Sequence, residues 1–258
     1  MRFFCQFCSM KYAIITGASS GFGKAIAQDL QQMGYGLVLL ARRFERLKEL
    51  KQTLNSTPVL IAELDVRDDK QVNDIIKNLP SEVAENIFIL INNAGLAVGR
   101  GPLDEGLSDD WNRMIDTNVK GLLNVSHAVI PLLKKHPFSH LINISSIAGK
   151  EVYAGGNVYC ASKHAVDALS KSMRIDLLPY QIKVCNIAPG AAQTEFSLVR
   201  FKGDMQTAQS VYDGYQALVA QDIAQTVSFV VSRPDHVSMA DITIMPTAQA
   251  NGSLFYKK

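Results

Sequence analysis

Tyr159 and Lys163 stand four positions apart in residues 158–178, a stretch whose apolar spacing predicts a helix. Positions i and i+4 lie on one helix face, so a phenol and an ammonium can reach the same small volume. A nearby cation favours the phenolate and lowers the pKa of a tyrosine, which is otherwise about 10. Ser146 follows the strand-like run 141–144 and can add a hydroxyl to the site. A Tyr-x-x-x-Lys pair alone is usually a pair of surface neighbours, so the rest of the chain must decide.

The elements that would position these residues alternate along the chain. Because the apolar runs lack polar alternation and are separated by helical patterns, they predict a parallel sheet covered on both faces. Right-handed crossovers then give an α/β fold with a Rossmann-type, doubly wound parallel sheet in three αβα layers. The predicted strands are 12–16, 37–40, 59–62, 87–91, 141–144, 182–187 and 242–245, and the predicted helices include 23–33, 44–54, 69–78, 110–135 and 158–178.

Bulk composition restricts the class of protein. The 258 residues, 47% hydrophobic and 19% charged, can build a substantial core. The net charge of +2 gives no support for a nucleic-acid or membrane-surface role, and no apolar run reaches the roughly 18 to 20 residues that span a bilayer. We therefore expect a soluble, cytoplasmic protein whose cysteines are reduced.

The domain organisation follows from the same patterns. Residues 1–9, with Cys5 and Cys8, precede the first strand and are interpreted as a terminal extension of doubtful role. Residues 10–258 are predicted to form one dinucleotide-binding catalytic domain. The segment 195–215 departs from the alternation, and we interpret it as an insertion over the sheet edge that serves as a substrate lid. No metal-ligand spacing emerges from the cysteines or histidines, so no metal is expected.

A glycine-rich segment, residues 16–23, follows the first predicted strand and opens the first predicted helix. Glycines permit tight turns and close approach of a pyrophosphate, while free amides at a helix start attract anions. The spacing G-x-x-x-G-x-G differs from the G-x-G-x-x-G pattern, and such a turn can be purely structural. Its position after the first strand favours nucleotide binding.

Two arginines, Arg42 and Arg43, end the second predicted strand where an acidic residue would bind the ribose of NAD. Guanidinium groups pair with phosphate, so these arginines favour NADP. The alternative is a solvated helix start, because the following residues are also charged.

Together the motifs resemble the short-chain dehydrogenase/reductase family over nearly all of residues 10–250, including the interval from Ser146 to Tyr159. Further segments are similar to the NADP-dependent 3-hydroxy acid dehydrogenases of that family, which oxidise serine, allo-threonine and related acids or reduce the matching semialdehydes. Residues 191–193 and 150–152 depart from that subgroup near the expected substrate cleft. The family motifs are 16–23, 92–95, Asn118, Ser146, Tyr159, Lys163 and 189–190, and the subgroup segments are 41–47, 64–67, 92–97, 153–159, 194–204 and 245–249.

The resemblance implies a role for each catalytic residue. Tyr159 would be the general acid/base, and Lys163 would lower the tyrosine pKa and hold the nicotinamide ribose. Ser146 would orient the reacting oxygen, and Asn118 would hold a water that relays protons. Ser145 is the alternative serine, but spacing favours Ser146.

The implied NADP site covers the phosphates, the 2′-phosphate, the adenine and ribose, and the nicotinamide. Its residues are Gly17, Ser19, Ser20, Gly21, Phe22, Gly23, Arg42, Arg43, Asp65, Val66, Asn92, Ala94, Gly95, Tyr159, Lys163, Pro189, Gly190 and Thr194.

Substrate recognition depends on charge, because a 3-hydroxy acid carries a carboxylate that needs a cation or several donors. Arg200 and Lys202 are candidates beside Ser146 and Tyr159, and Lys150 is a weaker one. Trp111 is explained by core packing. The rival functions are a 3-ketoacyl or general carbonyl reductase of the same family and a non-catalytic NADPH-sensing protein. By resemblance, a homotetramer is expected.

Overall fold

A computed structural model describes residues 10–258, so the extension 1–9 and its cysteine pair lie outside the described residues. Seven strands form one sheet in the order β3-β2-β1-β4-β5-β6-β7, and every neighbouring pair is parallel. The strands are β1 Tyr12–Thr16, β2 Gly36–Ala41, β3 Val59–Glu63, β4 Ile87–Asn92, β5 His140–Ile144, β6 Lys183–Pro189 and β7 Asp241–Ile244. The order reverses between β1 and β4, which places a crevice at the carboxyl ends of those strands. The predicted fold class is confirmed.

Helices cover both faces of the sheet, which explains why the strand sequences are continuously apolar. One face packs Leu30 and Val227 in a core cluster, and the other packs Val129 and Val166 in a second cluster. The helices are α1 Gly21–Gln32, α2 Phe44–Thr53, α3 Asp69–Lys77, α4 Ser81–Ala84, α5 Ser108–Ile115, α6 Gly121–Leu133, α7 Asn157–Asp176, α8 Phe196–Arg200, α9 Met205–Ser210 and α10 Ala220–Val231. Within residues 10–258, no helix is long and apolar enough to cross a membrane.

The stretch predicted as one helix, 110–135, is divided by a π-helical turn, Asp116–Lys120, between α5 and α6. At the start of α6, a Cβ on Gly121 would lie 2.5 Å from Cγ2 of Val66, so the helix approaches the loop after β3 closely. π-Turns of this kind occur often at functional sites. Here the turn carries Asn118, whose side chain is buried against the loop after β4.

The segment 195–215 contains α8 and α9, and residues from both helices line the cleft at the carboxyl edge of the sheet. It is attached to the body at several places. The amide of Gly99 donates to the Arg200 carbonyl over 3.0 Å, and the C-terminal Lys258 amide donates to the Gly214 carbonyl over 2.9 Å. The segment therefore has the position of the lid that the sequence predicts, and we call it the lid below.

Candidate active site

One cleft of about 1340 Å³ opens along the carboxyl ends of the strands and brings most of the predicted site residues together. Gly23, Asn92 and Asn118 are the predicted residues that do not line it. The predicted residues that do line it are Gly17, Ser19, Ser20, Gly21, Phe22, Arg42, Arg43, Asp65, Val66, Ala94, Gly95, Ser146, Tyr159, Lys163, Pro189, Gly190, Thr194 and Arg200.

The turn between β1 and α1 is shaped to receive an anion. Gly17 and Gly21 adopt φ values of +65° and +51°, which favour glycine. The first helix begins at Gly21 with no side-chain cap and no acidic residue in its first turn. Its first amides are thus available to a ligand, and the helix dipole favours a negative charge there. The residues present fit the phosphates of a dinucleotide.

Gly23 supports this turn from beneath, because a Cβ there would lie 2.5 Å from the Gly17 carbonyl oxygen and 2.6 Å from Nδ2 of Asn93. Asn93 fastens the turn to β4, donating from Nδ2 to the carbonyl oxygens of Thr16 over 2.9 Å and Gly17 over 3.2 Å. Gly23 is therefore a supporting residue.

Asn92 faces away from the cleft, which corrects its predicted place beside the adenosine ribose. Its Nδ2 donates to Ser126 Oγ and to Asn143 Oδ1, each over 2.9 Å, inside the α6 and α7 layer. Successive residues of a strand point to opposite faces, so Asn92 and Asn93 cannot both face the cleft. The structure places Asn93 there.

The two arginines after β2 point in different directions. Arg42 lies near Asp65. The pKa of the Asp65 carboxyl is lowered mainly by hydrogen bonds from Arg67, and the charge of Arg42 adds to this effect. Arg43 instead donates from Nη1 to Glu195 Oε2 over 2.8 Å and from Nε to Ser19 Oγ over 3.3 Å. Arg42 is therefore the arginine on the adenine side, and Arg43 lies above the phosphate turn.

Tyr159 lies in the cleft on α7 and is 7% exposed. Burial raises the pKa of Tyr159, and the neighbouring Tyr153 adds to that effect. A hydrogen bond from Ser146 and the charge of Arg200 lower the pKa but do not offset the burial. The net shift is upward because desolvation disfavours the phenolate, and the expected lowering of the Tyr159 pKa by Lys163 stays a prediction.

Lys163 is buried one helical turn further along α7, where its Nζ donates to the Ile144 carbonyl over 3.0 Å. A Cβ on Gly95 would lie 3.4 Å from that Nζ, so the glycine keeps the ammonium accessible from the loop after β4. Burial lowers the pKa of Lys163 to about 8. The ammonium is held in a weakly solvated place, which strengthens its interaction with any polar group placed beside it.

The cost of burying Lys163 leads to a stability prediction. Its pKa is 10.5 in the unfolded chain and about 8 in the folded one, so charging it opposes folding by about 3 kcal/mol below pH 8. The penalty declines between pH 8 and 10.5, because the unfolded state then holds more protons. Lys163→Met should raise stability by about 2 kcal/mol at pH 7, after the loss of the Ile144 hydrogen bond. The gain should vanish just below about pH 10, where the remaining penalty equals the cost of the lost hydrogen bond, and the variant should be the less stable protein above that pH. Thermal unfolding across this pH range checks it, and a gain that grows with pH would contradict it.

Asn118 is fully engaged by the backbone after β4. The Leu96 amide donates to its Oδ1 over 2.8 Å, and its Nδ2 donates to the Leu96 carbonyl over 2.8 Å and to Ser162 Oγ over 3.0 Å. The side chain ties the π-turn to the loop that carries Gly95 and to α7. The arrangement shows it holding the wall of the site, and its predicted water-binding role stays a prediction.

Ser146 begins the short turn after β5 in extended backbone, with its Oγ accepting from the Ala148 amide over 3.1 Å. Ser145 is buried and donates to the Lys163 carbonyl over 3.3 Å, which gives it a structural role. Because Ser145 is bonded to the backbone of α7, the geometry favours Ser146, the serine that the spacing predicts.

Arg200 places a cation in the cleft beside Tyr159. Its Nη1 donates to the Tyr153 hydroxyl over 3.0 Å, and its guanidinium carbon lies 5.6 Å from the centre of the Tyr159 ring. The Nε and Nη2 atoms are buried without a hydrogen-bond partner among the described residues. Buried donors are almost always satisfied, so these two indicate an anionic or polar ligand beside Tyr159.

The other candidate cations are already paired. Lys202 bonds to Asp110 over 2.7 Å, and Lys150 lies between Asp167 and Asp241 outside the cleft lining. Of the three cations considered from the sequence, the structure favours Arg200.

Two aromatic residues beside Tyr159 were missed in the sequence. Tyr153 accepts a hydrogen bond from Arg200, and the Phe196 ring lies 5.6 Å from that of Tyr159. Both lie in segments that resemble the subgroup, which was the one signal available. Trp111 packs against a core cluster, as predicted, and it also lines the cleft. Within residues 10–258, no group of three or more histidine, cysteine or acidic residues could hold a metal ion.

A family model described as short chain dehydrogenase matches residues 11–204. The chain is 42% identical over 239 residues to a sulfoacetaldehyde reductase 2 of Chromohalobacter salexigens, covering 92% of this chain and 94% of that protein. It is also 42% identical over 242 residues to an NADP-dependent 3-hydroxy acid dehydrogenase of Escherichia coli, covering 93% and 97%.

Among solved structures, the chain is similar to the closed form of a serine dehydrogenase complexed with NADP⁺. The TM-score is 0.90 at 41% identity, with 96% of this chain and 99% of the other covered. The similarity therefore extends over the lid as well as the sheet.

Proposed function

Because the chain belongs to the short-chain dehydrogenase family, we propose that it is an NADP(H)-dependent oxidoreductase of short 3-hydroxy acids. The substrates are L-serine, L-allo-threonine and 3-hydroxypropionate types, interconverted with their 3-oxo acids or semialdehydes. The observation that carries this proposal is the pair of buried, unpartnered Arg200 nitrogens beside Tyr159. An acid group on the substrate would accept hydrogen bonds from these two nitrogens. Because the Arg200 guanidinium carbon lies only 5.6 Å from the centre of the Tyr159 ring, the acid group and the reacting oxygen must belong to a small molecule.

The residues divide the chemistry between them. Arg200 binds the acid group of the substrate and so fixes the distance from that group to the reacting carbon. Ser146 and Tyr159 hold the reacting oxygen, and Tyr159 gives a proton to it during reduction. A tyrosine phenol is protonated at neutral pH, which is the form that donates during reduction. When bound, NADP(H) supplies or accepts the hydride.

The cofactor would lie along the glycine turn, with its 2′-phosphate at Arg42 and its nicotinamide near Gly190 and Thr194. The similar serine dehydrogenase structure is complexed with NADP⁺, and the similar 3-hydroxy acid dehydrogenase of Escherichia coli is NADP-dependent. The Arg42 side chain makes no hydrogen bond to another described residue, and its interaction with Asp65 is one of charge alone. It is thus free to pair with a phosphate, which supports NADP(H) rather than NAD(H).

Arg42→Gln tests this cofactor assignment. We expect kcat/KM for NADPH to fall roughly thirtyfold while that for NADH changes less than about twofold, since a charge-assisted bond to phosphate is lost. Parallel titrations with the two cofactors measure the ratio. Arg67→Gln is the matched control, because Arg67 pairs with Asp65. An equal loss with both cofactors would contradict the assignment.

The rival functions differ in what they require at the substrate end. A 3-ketoacyl or general carbonyl reductase needs no cation beside the tyrosine. A non-catalytic NADPH-sensing protein needs neither Tyr159 nor Lys163, and both lie in the cleft. The sulfoacetaldehyde reductase relative suggests a sulfonate as a further acid group that Arg200 could bind. The predicted homotetramer is part of this proposal and is tested by light scattering.

A substrate panel tests the function. Purified protein is mixed with NADP⁺ and L-serine, L-allo-threonine, 3-hydroxypropionate, 3-hydroxybutyrate or isethionate, and the absorbance of the reduced nicotinamide is followed. We expect turnover with the carboxylic acids. Reduction of simple ketones or acyl thioesters with no turnover of any acid would support the rival reductase. Binding of NADPH with no turnover at all would support the sensing protein.

A further inference from the structure

Glu195 forms ion pairs with two arginines on the opposite wall of the cleft. Its Oε2 accepts from Arg43 Nη1 over 2.8 Å, and its Oε1 accepts from Arg46 Nη1 over 2.7 Å. All three side chains are about half-exposed, with fractions of 44% to 45%. The two arginines lower the pKa of the Glu195 carboxyl, so it is charged at neutral pH.

The pairs join parts of the chain that are distant in sequence. Glu195 precedes α8, on the lid that carries Arg200, whereas Arg43 and Arg46 lie at the start of α2. Arg43 also donates to Ser19, which lines the phosphate turn. The ion pairs therefore cross the groove between the phosphate turn and the lid.

The opposite side of the lid has its own attachment. Lys202 pairs with Asp110 on α5, and Asp110 is buried. Glu195 and Lys202 thus flank the two ends of α8. Glu195 attaches the helix toward the dinucleotide groove, and Lys202 attaches it toward α5. The lid has no other acidic side chain bonded to an arginine of the body among the described contacts.

We propose that Glu195 latches the lid across the groove in which the dinucleotide lies, so that the cofactor leaves only after the pairs with Arg43 and Arg46 break. This inference rests on the proposed NADP(H) site. Glu195 acts through the lid and is a positioning residue. Because the latch holds the lid and not the 2′-phosphate, it acts equally on NADPH and NADH.

The effect follows from the strength of exposed ion pairs. Two such pairs together correspond to roughly a threefold to tenfold change in a rate. Glu195→Gln should therefore speed release of both NADPH and NADH by about that factor. High salt should reduce the difference between wild type and variant, because screening weakens the pairs in the wild type.

The experiment measures cofactor release by stopped-flow fluorescence in wild type, Glu195→Gln, Arg46→Gln and the double variant. Arg46 bonds to Glu195 alone among the described residues, and Arg46→Gln leaves the pair of Glu195 with Arg43 in place, so it should accelerate release less than Glu195→Gln, which removes both pairs. The double variant should then release no faster than Glu195→Gln alone. Glu45→Gln is the matched control, since it removes a carboxylate paired with Lys48 on the same helix without crossing the groove.

The outcomes separate the latch from other roles. An effect on NADPH alone would assign these residues to the 2′-phosphate and overturn the latch. Slower release from Glu195→Gln would show that the Glu195 carboxylate competes with the cofactor for the arginines. Unchanged release would show that the carboxylate neither retains the cofactor nor competes with it. Either result would overturn the latch. If wild type binds neither dinucleotide, the proposed function fails and the latch fails with it. If wild type binds and the variants match it, the latch alone fails.

Discussion

Replacing Tyr159 with phenylalanine should lower kcat by about a thousandfold in both directions while the protein still binds NADPH. General acid–base groups contribute about 10² to 10⁴ in rate, and the buried phenol beside Ser146 and Arg200 is the proposed proton donor. Phenylalanine keeps the ring that packs 5.6 Å from Phe196, so the fold of the site should persist. Steady-state kinetics with a fluorescence titration of NADPH checks both parts.

Tyr180→Phe is the control for the tyrosine change. Tyr180 is 42% exposed and lies outside the cleft lining, with the Lys134 ammonium over its ring. Loss of the Tyr180 hydroxyl should leave kcat within about twofold of the wild-type value. A Tyr159→Phe variant that kept a tenth or more of the wild-type kcat would remove Tyr159 from the acid–base role. Loss of NADPH binding would instead show that the change disturbed the cofactor site.

Replacing Arg200 with glutamine should lower kcat/KM for acid substrates by about 100-fold, because charge-assisted hydrogen bonds to the substrate anion are lost. The loss should be small for uncharged ketones or alcohols of the same length, since these make no such bond. The comparison of a charged and a neutral substrate in one variant separates anion binding from damage to the lid.

Lys202→Gln is the matched control for Arg200, because it removes a positive charge from the same segment. Lys202 also lines the cleft, but its ammonium pairs with Asp110, so acid substrates should lose much less than with Arg200→Gln. Any loosening of α8 by the loss of that pair should affect charged and neutral substrates alike. Equal losses in the two variants, or equal losses of charged and neutral substrates, would contradict a direct contact between Arg200 and the acid group.

Features with a local cause could be predicted from the sequence. All seven strands were placed to within two residues of their ends, because burial on both faces makes the inner strands largely continuous apolar runs. The glycine turn and the pair of Tyr159 and Lys163 on one helix also follow from short-range spacing. The predicted helix 110–135 did not include the π-turn before Gly121, which lies where Val66 from another part of the chain approaches the helix closely.

Features that depend on distant neighbours could not be predicted. Asn92 and Asn93 project from opposite faces of the end of β4. Which of them reaches the cleft depends on how the helices pack against the two faces of the sheet. The partner of Arg43 is 152 residues away, and that of Arg200 is 47 residues away. The pKa of Tyr159 follows the burial of its hydroxyl, which outweighs the nearby charges.

The central claim is that hydride passes between NADP(H) and the hydroxyl-bearing carbon of a short 3-hydroxy acid. The most direct test supplies NADPH deuterated at the transferable position of its nicotinamide, together with 3-oxopropanoate, and examines the product by mass spectrometry. We expect 3-hydroxypropionate with one deuterium on its hydroxyl-bearing carbon, formed by wild type and not detectably by Tyr159→Phe. Product without deuterium, or deuterium appearing only when neutral ketones replace the acid, would contradict it.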